Sequence, residues 1–263
     1  MSTKINSILW GDCSKLLTKL PKEFVDLVVT SPPYDELRSY GGHAFNAAPI
    51  IKALYTALRP GGVVVWVIGD SVVRGSETGT AFKHAQEFLT AGFRLHDTMI
   101  FEKNTSSFPA RRKSNRYTQI FEYMFVFSKG RPKTAKLICD KENKWAGWTN
   151  WGKQTKRAKD GRLKEVADLN PVPKFSPRNN IWKYNVGGGF GHRDKAAYKH
   201  PATFPEQLAL DHILTWSKVG DIVLDPMCGS GTTCLAARKL GRGFLGMDIH
   251  KPYVKLSRKR CRD

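Results

Sequence analysis

A glycine-rich stretch near the C-terminus has the composition of a small-ligand site. It runs from Asp225 to Thr233, reads Asp-Pro-Met-Cys-Gly-Ser-Gly-Thr-Thr, and joins a predicted buried strand to a predicted helix. Glycines allow a tight turn and a close approach of the backbone, and a helix N-terminus favours an anionic group. Asp248 ends the next predicted strand, where an acid suits hydrogen bonds to a ribose diol. The pattern predicts a site for a nucleotide-like ligand.

The same stretch does not fit a phosphate ligand. Gly231 is followed by Thr232, so the lysine of a P-loop is missing, and no G-x-G-x-x-G is present. Asp225 at the start of the loop would repel a pyrophosphate. It suits a cationic group such as the α-amine of S-adenosylmethionine, whose carboxylate can face the helix N-terminus. An ordinary strand-to-helix turn is the alternative, and the combination of Asp225, the glycines and Asp248 favours the ligand site.

A second stretch, Thr30-Ser31-Pro32-Pro33-Tyr34, follows another predicted buried strand. Prolines lack N–H donors and cannot continue a central strand, so the pair predicts a rigid, extended turn. Such a turn leaves the carbonyls around Ser31 and Pro32 free to accept hydrogen bonds, beside the flat ring of Tyr34. Acceptors next to a stacking surface fit a planar base that bears an exocyclic amine. On its own, this stretch would be interpreted as a Pro-Pro loop without a function.

The elements that must position both stretches alternate between strand and helix. Short apolar runs predict strands at 8–10, 25–30, 63–68, 95–102, 119–128, 222–224 and 244–247. Apolar spacing predicts helices at 14–20, 51–58, 79–91, around 210–214, 232–240 and 253–260, and Pro60-Gly61-Gly62 predicts the end of the second helix. The alternation is typical of an α/β fold with a doubly wound, mostly parallel sheet. The runs at 95–102 and 119–128 predict one antiparallel pair.

Length and composition exclude several classes of protein. The 263 residues are 41% hydrophobic and 25% charged, a globular balance that excludes wholesale disorder and a collagen-like repeat. No apolar run reaches transmembrane length and the first residues lack a signal-peptide pattern, so we expect a cytoplasmic protein without membrane contact. The five cysteines form no C-x-x-C pair and the seven histidines are dispersed, which predicts reduced thiols and no metal site.

The charge of the chain is far from balanced. Lys and Arg number 43 against 23 Asp and Glu, a net charge of +20, which predicts a polyanionic partner, nucleic acid first and an anionic membrane second. Residues 130–199 carry 17 of the basic residues and 6 of the acidic ones, and they lack periodic apolar runs. They also contain Trp145, Trp148, Trp151 and Trp182, which makes full disorder a poor interpretation. We interpret them as a basic insertion or variable subdomain.

Together the two stretches resemble the motifs of the S-adenosylmethionine-dependent DNA amino-methyltransferases. Their order, with Thr-Ser-Pro-Pro-Tyr first, a variable basic region next and Asp-Pro-x-x-Gly-Ser-Gly-Thr-Thr last, is similar to that of the β group of these enzymes. The similarity continues in Gly11-Asp12-Cys13 and in the sequence His-Pro-Ala-Thr-Phe-Pro at 200–205. The resemblance implies a Rossmann-like fold in permuted order, with a catalytic half at 1–129, a target-recognition region at 130–199 and a cofactor-binding half at 200–263.

The resemblance also assigns roles to residues. It implies that Ser31, Pro32, Pro33 and Tyr34 are catalytic and that the methionine part of the cofactor and its ribose contact Asp225, Pro226, Cys228, Gly229, Ser230, Gly231, Thr232 and Asp248. Asp12 and Cys13 are expected near the adenine, with His200 and Phe204 as weaker assignments. The basic residues expected to contact DNA phosphates are Arg111, Arg112, Lys113 and Arg116, together with those of 130–199.

The first residue of the Ser-Pro-Pro-Tyr motif predicts which atom is methylated. Adenine-N6 enzymes of this family usually show Asp or Asn there, whereas Ser, here Ser31, is typical of cytosine-N4 enzymes. We therefore expect methyl transfer to the N4 amine of cytosine in a flipped base of double-stranded DNA, with adenine-N6 as the alternative. Cytosine-C5 chemistry is set aside because the position after Pro33 is Tyr34 and no Pro-Cys pair exists in the chain.

Two further functions stay open at this point. One is an inactive, methyltransferase-like DNA-binding protein, and the other is an RNA or protein-glutamine methyltransferase, since both groups use Asn- or Asp-Pro-Pro-Tyr on related folds. The intact catalytic positions argue against the first, and Ser31 with the permuted order argues against the second. A cognate restriction endonuclease is an expected partner class of such enzymes, and both a monomer and a homodimer are compatible with the sequence.

Overall fold

The computed structural model describes residues 4–33, 45–105, 115–149, 155–165, 170–186, 191, 194–200 and 203–262. The strands are β1 (Ser7–Trp10), β2 (Val25–Thr30), β3 (Leu58–Ile68), β4 (Val72–Val73), β5 (Ser76–Glu77), β6 (Arg94–Lys103), β7 (Phe121–Ser128), β8 (Cys139–Glu142), β9 (Thr155–Arg157), β10 (Leu163–Glu165), β11 (Phe175–Pro177), β12 (Ile181–Tyr184), β13 (Ile222–Asp225) and β14 (Gly243–Asp248). The helices are α1 (Cys13–Leu17), α2 (Ala47–Ala57), α3 (Thr80–Thr90), α4 (Glu206–Trp216), α5 (Thr232–Lys239) and α6 (Lys251–Arg260), with a 3-10 helix at Lys195–Lys199.

One sheet of eight strands organises the larger of two compact units, which comprises residues 1–136 and 180–263. Its strand order is β1-β14-β13-β2-β3-β7-β6-β12. Neighbouring strands are parallel except where β7 pairs with β3 and with β6. The predicted α/β fold with a mostly parallel sheet is confirmed, as is the antiparallel pair of β6 and β7.

Helices cover both faces of this sheet, which explains the unbroken apolar runs in its central strands. Successive strand residues point to opposite faces, so a run such as Leu27-Val28-Val29 is buried throughout. One face packs under α1, α2 and α3 around Trp66, where the rings of Phe88 and Phe127 stack with centroids 4.0 Å apart. Burial of each such ring contributes about 1.5–3 kcal/mol to folding.

Two local features differ from the sequence prediction. Helix α2 ends at Ala57, one residue before the predicted boundary, but β3 begins at once, so Pro60-Gly61-Gly62 lies inside a strand. Gly61 takes a φ of 78°, and the register of β3 along β2 shifts between Val25 and Leu27. The strand absorbs the proline and the left-handed glycine as an irregularity near its first residues, where few ladder bonds are lost.

Strand β12 lies within the stretch that the sequence assigned to the basic insertion. It pairs in parallel with β6, and its alternate residues Trp182 and Tyr184 are buried. A four-residue strand with two buried side chains is too short to produce a clear apolar period. The structure therefore places residues 180–186, 191 and 194–199 in the unit of the main sheet, and the role of 130–199 in target recognition stays a prediction.

Residues 137–179 form the second compact unit. Within it, β8 pairs with β11 and β9 pairs with β10, both antiparallel. Trp145 and Trp148 lie with ring centroids 6.0 Å apart, yet they remain 54% and 47% exposed. These two rings are therefore not buried in a local core, and Trp151 lies outside the described residues. No helix in the described part of the chain is long and apolar enough to cross a membrane.

Candidate active site

Four neighbouring strands bring the predicted motifs to one edge of the sheet. β1, β14, β13 and β2 are consecutive and parallel, so their carboxyl ends meet at the same edge. Gly11 follows β1, the glycine-rich loop follows β13, and Ser31 follows β2. In open α/β sheets, ligands bind in the crevice outside these carboxyl ends. The fold thus gathers stretches that are separated by about two hundred residues in the sequence.

Asp225, the last residue of β13, connects the two main motifs. Its side chain is 2% exposed, and Oδ1 accepts hydrogen bonds from Thr30 Oγ at 2.7 Å and from the Met227 amide at 3.1 Å. Burial raises the pKa of Asp225 to about 6, against the opposing effect of the donors, Thr30 first. Since Thr30 directly precedes Ser31, this hydrogen bond fixes the Pro-Pro turn relative to the glycine-rich loop.

The backbone of the glycine-rich loop requires glycine at two positions. Gly229 and Gly231 have φ values of 49° and 83°, in the left-handed region that other residues rarely adopt. A Cβ on Gly231 would lie 2.7 Å from Ser257 Cβ, and a Cβ on Gly229 would lie 2.9 Å from His200 Nε2. Gly231 is therefore required by packing against α6, whatever ligand the loop holds. Three of the other predicted loop residues, Pro226, Cys228 and Ser230, are buried, as is Thr232 at the start of α5.

Asp248 ends β14 beside this loop. Its Oδ2 accepts a hydrogen bond from the Gly229 amide at 2.9 Å, and its Oδ1 accepts one from the His250 amide at 2.7 Å. Burial raises the pKa of Asp248, while these two donors act in the opposite direction. A carboxylate has about four acceptor sites, so each oxygen keeps capacity for a ligand hydroxyl. The arrangement suits the two adjacent hydroxyls of a ribose.

Asp12 and Cys13 lie next to Asp248 across the β1–β14 pair. The Gly11 amide donates to the Asp248 carbonyl at 2.9 Å, and Asp12 caps α1 by accepting from the Ser14 amide at 2.9 Å. Burial, then the charge of Asp12, raises the pKa of the Cys13 thiol to about 12. The thiol is therefore neutral at physiological pH and contributes an apolar wall, not a nucleophile.

The structure shows a loop contact for His200, one of the two remaining cofactor assignments. The His200 ring follows the 3-10 helix, faces Gly229, and lies with its centroid 4.3 Å from that of Tyr253 on α6. Phe204 is half-buried ahead of α4. The structure thus brings His200 to the loop.

Part of the predicted catalytic turn and three of the four basic residues predicted ahead of residue 130 lie outside the described residues. Ser31 and Pro33 are half-buried and Pro32 is buried, but Tyr34 is not described, nor are Arg111, Arg112 and Lys113. Arg116 is described: its guanidinium donates to the Gly75 carbonyl and lies 3.6 Å from a carboxylate oxygen of Glu77. An exposed pair of this kind contributes less than about 1 kcal/mol, so a phosphate can compete with Glu77 for Arg116.

Sequence reasoning missed two residues that support the site. Thr30 was placed in the strand and in the Thr-Ser-Pro-Pro-Tyr motif without a role of its own, although it is the hydroxyl that reaches Asp225. Its position next to Ser31 was the available signal, because a polar residue at the end of a buried strand needs a partner. Tyr253, which packs against His200, gave no signal, since its contact depends on how α6 lies against the loop.

Replacing Thr30 tests the connection between the motifs. Thr30→Val keeps the shape but removes the donor to a buried carboxylate, so we expect a loss of about 1–3 kcal/mol in the free energy of unfolding. Chemical denaturation measures it. Thr18→Val, which removes an exposed hydroxyl bonded to the Lys15 carbonyl, is the matched control and should change stability little. Equal stability of the two variants would contradict the importance of the Thr30–Asp225 bond.

Comparison with known proteins agrees with this geometry. The fold is that of the doubly wound α/β proteins, which bind nucleotide-like ligands at the carboxyl ends of their parallel strands. The candidate site lies at this same edge of the sheet. Residues 25–259 match the model of the N6/N4 DNA methylase family. The orphan methyltransferase M.BamHII of Bacillus amyloliquefaciens is 47% identical over 253 residues, which cover 96% of this chain and 91% of that protein. The chain belongs to the N6/N4 DNA methylase family.

Two solved structures are similar over nearly the whole chain. The Thermus thermophilus protein TTHA0409, solved in complex with S-adenosyl-L-methionine, gives a TM-score of 0.62 at 26% identity and covers 97% of this chain and 94% of its own. The PvuII DNA methyltransferase, cytosine-N4-specific, gives a TM-score of 0.68 at 21% identity over 98% of this chain and 87% of its own. At that identity, the second similarity concerns the fold alone.

Proposed function

We propose that this DNA methylase transfers a methyl group from S-adenosyl-L-methionine to the exocyclic N4 amine of cytosine at specific sites in double-stranded DNA. The observation that carries the proposal is the buried hydrogen bond between Thr30 and Asp225. It holds the amine-accepting turn at Ser31 against the loop proposed for the cofactor. The bond thereby joins the two motifs that the adjacent parallel strands β2 and β13 bring to one edge of the sheet.

S-adenosyl-L-methionine is the cofactor of the enzyme, as the family and the TTHA0409 complex support. We assign its α-amine to Asp225 and its methionine carboxylate to the loop amides around Gly229 and Gly231, at the N-terminus of α5. Asp248 accepts from the ribose hydroxyls with the oxygen lone pairs that the backbone amides leave free. Asp12 and the neutral thiol of Cys13 border the adenine.

The chemistry proposed for the turn is positioning. The target base leaves the duplex and stacks on Tyr34, and its amino hydrogens are accepted by Ser31 and the Pro32 carbonyl. These acceptors direct the nitrogen lone pair at the methyl carbon. The nitrogen–carbon bond forms as the carbon–sulfur bond breaks, and the electron pair of the carbon–sulfur bond stays on sulfur. The methylated nitrogen then loses its proton. Asp35, which lies outside the described residues, is a candidate acceptor, with solvent as the alternative.

Ser31 is the reason for proposing N4-cytosine within a family that covers both amines. A hydroxyl stands where adenine-N6 enzymes usually carry Asp or Asn, so the acceptor is neutral and shorter. The PvuII enzyme, named cytosine-N4-specific, shares the fold and supports the proposal only to that extent. Adenine-N6 methylation is the second candidate. The cognate endonuclease, the oligomeric state, base flipping and a cytoplasmic location stay predictions of the sequence.

Identifying the modified nucleoside tests the proposed function directly. Purified enzyme is incubated with plasmid DNA and methyl-labelled S-adenosyl-L-methionine, and the nucleosides are separated and analysed by mass spectrometry. We expect N4-methyldeoxycytidine. Detection of N6-methyldeoxyadenosine would show that the target base is adenine and would leave the proposed cofactor site unaffected. If the enzyme binds the cofactor but the DNA stays unlabelled, the proposal of methyl transfer to DNA is wrong.

A further inference from the structure

Helix α6 and the turn after it carry a row of cations on one side. Lys251, Lys255, Arg258, Lys259 and Arg262 are spaced at i, i+4, i+7, i+8 and i+11, which places them along one face, and all five are exposed. We call these five residues the α6 basic face. Among the described residues, none of them forms an ion pair with a carboxylate, and residues 251–262 contain no acid. The row therefore presents a concentrated positive charge to solvent.

Folding alone does not explain this row. The cation that α6 buries is Arg260, which lies on the other side and pairs with Asp194 at 2.6 Å. Cations in the last turn stabilise the helix dipole, but Lys251 lies in the first turn, where the dipole disfavours it. Lys255 and Lys259 are like charges at i and i+4, a spacing that destabilises a helix by about 0.2–0.5 kcal/mol. A binding partner would account for charges that cost stability.

The middle of the α6 basic face forms an open depression lined by cations. Arg258 is held by two hydrogen bonds to the Ile8 carbonyl, 3.0 Å from Nε and 2.7 Å from Nη2, which leaves its remaining guanidinium nitrogen for a ligand. Together with Lys255, Lys259 and Arg262 it lines an open depression of about 440 Å³. A depression lined by four cations suits a row of phosphates and disfavours an apolar or basic partner.

The face begins at the edge of the sheet that carries the candidate active site. Lys251 Nζ lies 5.1 Å from the ring centroid of Trp10, which is 57% exposed and donates from Nε1 to the Ile249 carbonyl at 3.0 Å. Trp10 ends β1 and pairs in register with Asp248. From there α6 extends away from the edge for about 17 Å, a distance along which one strand of duplex DNA carries about five phosphates.

We propose that the α6 basic face is a docking surface for the phosphate backbone of duplex DNA that flanks the methylated site. The proposal rests on the proposed function, because it takes DNA as the substrate. The cations contact phosphates only, so they add affinity for DNA of any sequence and do not select the target. Because α6 begins at the edge that carries the candidate site, these contacts extend the DNA surface beyond the catalytic turn.

A charge-removal variant tests the docking surface. The variant Lys255→Gln/Lys259→Gln/Arg262→Gln removes three cations and keeps Arg258, whose hydrogen bonds hold α6 to β1. The matched control, Lys52→Gln/Lys83→Gln/Lys218→Gln, removes three exposed lysines from α2, α3 and the turn before β13. Dissociation constants for a duplex of arbitrary sequence, about 40 base pairs long and so longer than the face, are measured across a salt series for both variants and the wild type.

We expect the slope of log affinity against log salt to fall by about two to three for the α6 variant, since each phosphate contact contributes about 0.9. Between about 50 and 200 mM salt, the wild type should therefore lose about 40-fold more affinity for DNA than the α6 variant loses. The control should keep the wild-type slope. The KM for plasmid DNA should rise in the α6 variant, with kcat at saturating DNA and S-adenosyl-L-methionine affinity unchanged.

An α6 variant with the wild-type slope would overturn the proposal. So would a variant that loses binding to phosphatidylglycerol vesicles while its DNA slope stays unchanged, because the face would then serve a membrane. Failure of the proposed function is distinguishable from both results. In that case the wild type itself would leave plasmid DNA unmethylated, whereas the comparison of slopes judges the face by itself.

Discussion

Asp225→Asn should strongly weaken cofactor binding and at the same time make the cofactor-free protein more stable. The carboxylate is fully buried and its pKa is raised to about 6, chiefly because burial penalises the charge. Asparagine removes that charge and keeps the shape. Its Oδ1 still accepts from Thr30 and Met227, and its amide can donate to Thr233, whose own hydroxyl proton goes to the Val29 carbonyl.

The stability gain has a definite pH dependence. The native pKa of Asp225 lies above its ordinary value of 3.8, so the native state holds the proton more tightly than the unfolded state. The wild-type free energy of unfolding therefore falls as the pH rises from about 4 to about 6, by up to about 3 kcal/mol for a shift of this size. Asp225→Asn lacks this loss, so its advantage in melting temperature should appear above pH 6 and vanish near pH 4.

Cofactor binding should respond in the opposite sense. The α-amine of S-adenosyl-L-methionine is held by the charged form of Asp225, and a hydrogen bond to a charged group contributes about 1.5–3 kcal/mol. Calorimetry should show at least a tenfold loss of affinity in Asp225→Asn, because that energy exceeds about 1.4 kcal/mol. Wild-type affinity should also weaken below pH 6, as Asp225 takes up a proton.

The exposed Asp160→Asn variant is the control for both measurements, since within the described residues the Asp160 side chain pairs with the nearby Arg162. It should match the wild type in affinity and in its melting curve at each pH. If Asp225→Asn bound S-adenosyl-L-methionine with wild-type affinity, the amine would have to lie elsewhere. A less stable Asp225→Asn protein would show that the carboxylate is better solvated by its donors than its burial indicates.

The order of strands and helices was predictable because burial on both faces leaves a local trace. Strand β2 needs apolar residues at successive positions, and Leu27-Val28-Val29 shows this without knowledge of its neighbours. The glycine-rich loop was predictable for the same local reason, since its glycines, its first acid and the following helix are contiguous. The family resemblance then supplied the pairing of the two motifs.

Features that depend on tertiary neighbours left no such trace. Strand β12 exists because β6 offers an open edge, not because Ile181–Tyr184 has a strong strand pattern. Gly231 was predicted as a cofactor residue, but its immediate constraint is Ser257 Cβ, which comes from a helix twenty-six positions later in the chain. The raised pKa of Asp225 likewise follows from burial between β2 and α5, which no spacing in the sequence encodes.

The second large effect concerns transfer itself, in the variants Ser31→Ala and Tyr34→Ala. Ser31 follows the fixed Thr30 at the end of β2, and Tyr34 lies three positions later, outside the described residues. Ser31→Ala removes an acceptor that orients the amine, and misorientation of a reacting group costs on the order of 100-fold in rate. Tyr34→Ala removes a stacking surface that contributes about 1–3 kcal/mol per base.

Binding should change little in either variant, because many phosphate contacts hold the duplex and the cofactor contacts a different loop. The measurement is single-turnover methyl transfer at saturating plasmid DNA, with S-adenosyl-L-methionine affinity and DNA affinity determined in parallel. Ser31→Thr, which keeps a hydroxyl, and Tyr34→Phe, which keeps a ring, should recover most of the rate. Exposed Ser76→Ala serves as the control for loss of a hydroxyl on the surface.

The pattern of rescue separates catalysis from structure. If Ser31 only supported the turn, Ser31→Ala would lower stability and cofactor affinity together, through Thr30 and Asp225, and Ser31→Thr would restore both. If it orients the amine, the rate alone falls and the melting temperature stays at the wild-type value. Full single-turnover activity in both Ser31→Ala and Tyr34→Ala would show that the Pro-Pro turn is not part of the active site. This conclusion would hold even if the enzyme methylates DNA and the cofactor site is correct.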